Sequence, residues 1–316
     1  MIRLGLLFGG RSAEREVSIK GAKEVEKALD KNRYEIRRYD AATDIEKLVG
    51  DSGWLDCVFI LLHGKYGEDG TVQGLLELLN IPYQGSDVLG SALAMDKHLS
   101  KILYREANIQ TPAWIRLQRE SLIPAPKEIF ETIGLPLIVK PCKQGSSVGI
   151  RIIRKKDELL PGIEEAFQWD GNIIVEKYIP GREVTGGVIG LDELQALPIV
   201  EIIPDVTKYE FFDFEAKYKP GASREVCPAE LSDHLTQRAQ ELAIRAHRAL
   251  RLSGYSRTDM IIDEADRIFV IETNTIPGMT PTSLFPQAAA AAGLSFSTLL
   301  DRLIDLAMTR SKKRAD

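Results

Sequence analysis

The sequence predicts an α/β protein with α+β elements, built as three units of which the first is an open parallel sheet. Three observations carry this expectation. Residues 2–8 are an apolar run closed by Gly9-Gly10 and followed by a helical pattern to about Leu29, the strand–turn–helix opening of a parallel layer. The middle of the chain alternates strand patterns with a helix. The last third carries a hairpin, in which Met260-Ile261-Ile262 and Ile268-Phe269-Val270-Ile271 flank the turn Asp263-Glu264-Ala265-Asp266. Short continuous apolar runs suit strands buried on both faces.

Bulk properties narrow the class. With 316 residues the chain can bury two or three cores. Its formal net charge is −5 and its charges are spread along the chain, so no nucleic-acid surface is expected. No apolar run approaches membrane-spanning length, which leaves no membrane partner. The short apolar start leads directly into the first strand and does not look like a signal peptide. Cys57, Cys142 and Cys227 are too few and too scattered for a disulfide framework or a zinc site. A reducing compartment, the cytoplasm, follows from that usage.

The first unit, residues 1–94, has expected strands at 2–8, 34–39 and 57–62. Residues 11–18 lead into a helix to about Leu29, and helical patterns lie at 71–79 and 88–104. It lacks the G-x-G-x-x-G spacing of a dinucleotide site. The second unit, 95–178, has strands at 137–141, 150–153 and 172–178 and a helix at 156–167. Its loop Cys142-Lys143-Gln144-Gly145-Ser146-Ser147-Val148-Gly149 joins two strands and so forms a flap. The third unit, 179–316, has strands at 183–190 and 197–203. An irregular run follows at 204–228, too aromatic for a linker (Phe211-Phe212-Asp213-Phe214), and of a length typical of a lid. A helix at 231–252 places Leu235, Ala239, Leu242, Ala246 and Ala249 on one face. The hairpin comes next, and a helix at 293–308 closes the chain.

The hairpin holds the densest chemistry. Side chains alternate along a strand. If the turn is even-numbered, Arg257 and Asp259 share a face with Glu272 and Asn274. Two carboxylates and an amide oxygen converging there would repel unless a cation joined them, and hard oxygen donors suit Mg2+ shared with phosphates. An odd turn would put the pairs on opposite faces. A solvated hairpin end is the bland alternative.

Other constellations carry two readings each. Lys97 and Lys140 are surface lysines or, beside the Gly145-Ser146-Ser147 flap, neutralisers of phosphate. Glu176 ends a strand with Glu183 nearby: a solvated hinge, or an exposed edge for an adenine and a carboxylate for ribose. His63 lies at the carboxyl end of a strand, where open α/β sheets bind ligands. Glu14 stands at a helix entrance, as a dipole partner or as the counter-charge to a substrate ammonium. Cys142 has no histidine close in sequence and fits a packing role.

Together these motifs resemble the D-alanine–D-alanine ligase family of the ATP-grasp fold. The residues that carry the resemblance are Ser12-Ala13-Glu14-Arg15-Glu16-Val17-Ser18, His63-Gly64, Gly67-Glu68-Asp69-Gly70-Thr71 and Met95-Asp96-Lys97. To these add Gln144-Gly145-Ser146-Ser147-Val148-Gly149, Glu215-Ala216-Lys217-Tyr218, Glu272-Thr273-Asn274 and Pro277-Gly278-Met279-Thr280. They occur in family order and span nearly the whole chain. The resemblance implies ATP clamped between the second and third units, with two Mg2+ (or Mn2+) on Asp259, Glu272 and Asn274. It implies that Lys97, Lys140 and Lys217 meet the phosphates, that Glu176 and Ile179 reach adenine through the backbone, and that Glu183 meets the ribose. Lys177 and Phe212 belong to the same nucleotide site. Glu14 and His63 would position the first D-alanine, and Glu14, Ser146 and Tyr218 would form a triad that closes the lid. Arg257 and the Gly278 N–H would form the oxyanion site, and Ser283 and Leu284 would bind the second D-alanine. A homodimer is expected.

Phe212 and Ile276 depart from a frequent Tyr and Ser of the family without removing a ligand. Tyr218 favours an amine as second substrate over D-lactate. Depsipeptide and D-alanyl-D-serine ligases of the same family are the nearest alternatives. A non-catalytic nucleotide-binding regulator would have lost metal ligands or lysines that are present here, and a nicotinamide dehydrogenase lacks its fingerprint.

Overall fold

A computed structural model describes residues 1–145, 148–204 and 223–315, organised around three sheets. The first contains β1 (Ile2–Phe8), β2 (Tyr34–Asp40) and β3 (Cys57–Ile60) in the order β2-β1-β3, all parallel. Leu4, Leu6 and Leu7 are fully buried because β1 is covered on both faces. Helix α1 (Arg15–Ala28) makes the crossover from β1 to β2. Strand order reverses at β1, and a crevice opens at the carboxyl ends of β1 and β3. Gly9-Gly10 and Leu62-His63 lie there. Helices α2 (Ile45–Gly50), α3 (Thr71–Leu78), α4 (Val88–Met95) and α5 (Lys97–Glu106) follow.

The single helix expected at 88–104 is two. Asp96 is extended (φ −87°, ψ 102°), and its carboxylate accepts from the N–H groups of His98 and Leu99, capping α5. The break makes Lys97 the first residue of a new helix.

The second sheet contains β4 (Trp114–Gln118), β5 (Leu137–Pro141), β6 (Arg151–Ile153) and β7 (Asn172–Lys177) in the order β4-β7-β5-β6, all pairs antiparallel. Helices α6 (Pro126–Ile133) and α7 (Leu159–Trp169) cover a core of Leu117, Ile129, Leu137, Val139, Ile163 and Val175. Neither β4 nor α6 was anticipated.

The third sheet contains β8 (Arg182–Gly190), β9 (Leu194–Ala196), β10 (Val200–Pro204), β11 (Ser223–Val226), β12 (Gly254–Ile262) and β13 (Ile268–Asn274). Its order is β11-β10-β8-β12-β13, with β9 also on β8. The long amphipathic helix α8 (Asp233–Ala249), capped by Ser232, lies on this sheet. Helices α9 (Leu284–Ala291) and α10 (Phe296–Ala315) end the chain. The expected irregular run 204–228 is corrected at its ends, where Pro204 pairs with Ser223 and Glu201 with Val226 as an antiparallel ladder. Residues 205–222, with Phe212, Lys217 and Tyr218, lie outside the described residues, as does Ser146.

The first and third sheets share one core, in which Leu4 and Phe59 meet Val200, Phe285 and Leu300. Helix α5 also belongs to the third sheet: Tyr104 is buried with Val184, Met260 and Val270, and the Val270 N–H donates to the Gln110 carbonyl. Helix α5 therefore packs with the third sheet, and the strands of the second sheet begin at Trp114.

Candidate active site

The β12–β13 ladder pairs Arg257 with Asn274 and Asp259 with Glu272. Directly opposed residues of an antiparallel pair share a face, so all four expected side chains do converge. The route differs from the expected one. Ile262 pairs with Ile268, which leaves an odd turn, 263–267. A β-bulge then restores the alignment: Met260 pairs with Val270 but Asp259 with Glu272, so Ile271 is the extra residue. The intervening Thr258 and Thr273 face the other way, within 3.0 Å of each other, and Tyr104 donates to Thr273.

Each carboxylate on this face already holds a cation. The Arg257 guanidinium donates to both oxygens of Asp259, at 2.9 and 2.8 Å. Thr185 and Asn274 add donors at 2.7 and 3.1 Å. Lys97 Nζ lies 3.2 Å from Glu272 Oε2 and donates at 2.6 Å to the Gln144 carbonyl at the flap. Two carboxylates and an amide fit a hard cation, with remaining positions for phosphate oxygens and water. Among the described residues no group of three or more His, Cys, Asp and Glu forms a metal cluster.

A second cluster lies beneath the flap. Lys140 Nζ is 2.7 Å from one Glu176 oxygen, and Lys101 Nζ is 2.5 Å from the other. All three are buried. Burial is the largest influence on Lys101 and pulls its ammonium down to about 8, with Glu176 acting in the opposite direction. The expected free edge at Glu176 is not one. β7 is flanked by β4 and β5, and Glu176 is paired with both Trp114 and Ile138. Tyr178 still donates to the Pro136 carbonyl at 3.3 Å, but proline has no N–H to return. The ladder stops there, and the backbone open to an adenine begins at Tyr178-Ile179. Lys177 donates to the Leu135 carbonyl, and Glu183 lies on β8 between Ile202 and Ile261.

The third cluster fills the crevice of the first sheet. Glu14 precedes α1 without a capping hydrogen bond from its side chain, is buried, and has Oε2 2.9 Å from where a Cβ on Gly64 would stand and 3.0 Å from one on Gly145. A side chain at either position would have to push this carboxylate aside, and Gly64 also has φ +69°, which favours glycine. His63 is buried, which lowers its pKa; Glu14 opposes the shift and Arg257 adds to it. Glu68 had no assigned role in the sequence. Its carboxylate accepts from the N–H groups of Gly64 (2.8 Å) and Ile276 (3.2 Å). Burial, then the charge of Glu14, push it up to about 8.

The loop after β13 completes the site. A Cβ on Gly278 would lie 3.1 Å from Ser283 Oγ. Ser283 precedes α9 but its hydroxyl accepts from the Thr280 N–H, so it does not cap that helix. Leu284 buries its side chain in the shared core and has only its backbone to offer. Cys142 is fully buried and its thiol is pushed up to about 12, in keeping with a packing role. Lys101, Glu68 and Thr185 were missed. Lys101 left a signal, since it stands one helical turn after Lys97; Thr185 left none.

Comparison with known proteins adds an independent line. Residues 37–86 match the model of the D-ala D-ala ligase N-terminus and residues 103–305 that of the D-ala D-ala ligase C-terminus. A D-alanine–D-alanine ligase of Syntrophobacter fumaroxidans is 56% identical over 308 residues, covering 97% of this chain and 98% of that one. The D-alanine–D-alanine ligase of Bacillus anthracis, solved in complex with ATP, superposes with a TM-score of 0.86 at 37% identity, covering 99% of this chain and 100% of that chain. The VanG D-Ala:D-Ser ligase of Enterococcus faecalis has a TM-score of 0.83 at 34% identity, covering 96% of this chain and 99% of its own.

Proposed function

The chain belongs to the D-alanine–D-alanine ligase family, enzymes that use ATP and Mg2+ to make D-alanyl-D-alanine for peptidoglycan precursors, and we propose that the common face of β12 and β13 is where its reaction runs. The observation that supports this most is the opposition of Asp259 and Glu272, each held by a basic side chain.

A carboxylate is a poor electrophile, and bound ATP supplies the phosphoryl group that converts the first D-alanine to an acyl phosphate. Asp259, Glu272 and Asn274 would hold Mg2+ (or Mn2+) ions through oxygen, which would offset the negative charge of the phosphates. Arg257, which donates to both oxygens of Asp259, stands on the same face. Arg257 and the Gly278 N–H then face the developing oxyanion, a contact worth about 3–4 kcal/mol where one donor has been removed from other enzymes. Lys97 and Lys140, with Lys217, neutralise phosphate charge. Tyr178-Ile179 presents backbone to adenine and Glu183 meets the ribose.

Glu14 and His63 hold the first D-alanine, Glu14 by charge on its ammonium. Glu14 with Ser146 and Tyr218 closes the site against water, which would hydrolyse the acyl phosphate. The second D-alanine places its carboxylate on the uncapped start of α9, at Ser283 and the Leu284 N–H. No helix among the described residues is long and apolar enough to cross a membrane. The chain works in the cytoplasm as a homodimer, a state supported by the exposed apolar side chains Leu78, Val88 and Leu89 of α3 and α4.

The second substrate is the finer part of this reading, because a D-Ala:D-Ser ligase shares the fold. ATP-dependent phosphate release is measured with D-alanine alone, with D-lactate plus D-alanine and with D-serine plus D-alanine. Turnover with D-alanine alone is expected to exceed both mixed reactions beyond their D-alanine background. Absence of D-alanine-dependent release with Mg2+ sinks the assignment.

A further inference from the structure

Lys101 makes none of the expected ligand contacts, yet it is fully buried. Its ammonium donates to Thr111 Oγ1 at 2.6 Å and lies 2.5 Å from Glu176 Oε2. The other Glu176 oxygen accepts from Lys140 at 2.7 Å. One buried carboxylate is therefore shared by two buried lysines. They come from different bodies: α5 packs with the third sheet, whereas Lys140 and Glu176 lie on adjacent strands of the second. Lys101 has two anchors, while Lys140 donates to Glu176 alone among the described residues.

A buried carboxylate stripped of its only cation is strongly destabilised. With Lys140 as sole partner, Glu176 would hold that ammonium back from any ligand. With Lys101 also in place, the carboxylate stays neutralised when Lys140 turns away. We infer that Lys101 is a positioning residue for the ligase reaction: it keeps Glu176 neutralised so that Lys140 is free to bind nucleotide phosphate. This rests on the proposed contact between Lys140 and the phosphates of ATP.

The test compares K101M, E176Q, K101M/E176Q and K140M by KM for ATP, KM for D-alanine, kcat and thermal midpoint. K101M is expected to raise KM for ATP at least about tenfold, with KM for D-alanine within about twofold. Adding E176Q to K101M lowers KM for ATP at least about fivefold again, because Lys140 is no longer held by a full charge. A structural role alone would lower the thermal midpoint without this rescue. Unchanged KM for ATP in K101M, or no rescue in the double variant, overturns the inference while a raised KM in K140M leaves the phosphate contact standing. A normal KM for ATP in K140M overturns both. If K101M does not fold, E176Q is compared with K101M/E176Q. Values within about twofold support the inference, since Lys101 then has no charge to hold, and a gap of about tenfold overturns it.

Discussion

Asp259 accepts hydrogen bonds from Arg257, Thr185 and Asn274 while Glu272 is held by Lys97, so neither charge is left exposed in this state. Both carboxylates would be needed to hold Mg2+ in place of these partners. Glu272→Gln keeps the shape and halves the negative charge of the pair. Its kcat is expected to fall at least about a hundredfold, with higher Mg2+ needed for half-saturation. An unchanged Mg2+ titration would remove Glu272 from the donor set. Glu68 allows a different test. Its carboxyl sits at about 8, above the ordinary 4.5. Between those values the folded chain keeps a proton that the unfolded chain has released, so stability falls as pH rises through that window. Glu68→Gln cannot ionise and should gain in melting temperature relative to the parent from about pH 5 to about pH 8, equivalent to a few kcal/mol at most. A difference that is flat with pH would show that Glu68 is charged throughout. Residues of this kind are hard to read from sequence. Glu68 lies in the stretch Gly67-Glu68-Asp69-Gly70-Thr71, but only the fold buries it and brings Glu14 close to it.

The hairpin shows what is legible at the scale of an element. Apolar runs and a polar turn located both strands, and alternation put the right four residues together only on the condition of an even turn. The turn is odd, and Ile271 restores the register as a bulge. A one-residue bulge leaves no mark in hydrophobic periodicity, so two departures that cancel were invisible. The break at Asp96 was missed for a related reason: apolar spacing continues across it, and only the capping bonds end one helix and begin another. The helix α8 was legible because its stripe is long. What the stripe does not show is that His247 is buried within it, with Nδ1 2.7 Å from Ser256 Oγ on β12. Burial holds His247 down to about 4 from an ordinary 6.5. As pH falls through that window the unfolded chain takes up a proton that the folded chain refuses, and stability is lost. The loss should reach about 3 kcal/mol near pH 4, and His247→Gln should flatten that limb of the stability curve while leaving neutral pH nearly unchanged. An acid limb of equal slope in both proteins would place the cause elsewhere.

The three sheets do not share one core. Three units were legible from alternating patterns, but which of them share a core was not, because burial between distant segments has no local signature. The first and third sheets are fused through Leu4, Phe59, Val200, Phe285 and Leu300, whereas the second has a core of its own. The second sheet is joined to the rest by the chain on either side of it, by Trp114 of β4, whose Nε1 donates to His98 Nδ1 on α5, and by further polar contacts: the Lys97 N–H to the Cys142 carbonyl, Lys97 to Gln144 and Lys101 to Glu176. An apolar seam resists sliding, while a few polar contacts can be exchanged for ligand contacts. The second sheet is thus tied to the rest by contacts that ligand contacts could replace. Binding of Mg2+ with adenylyl imidodiphosphate should slow amide exchange about tenfold or more at residues 97–101, 142–145 and 177–182, the joints of that sheet. Amides within β4, β5 and β7 should change less than about twofold, since a rigid motion leaves their ladder intact. Protection spread evenly through the second sheet would mean that the nucleotide stabilises its fold and does not capture its position.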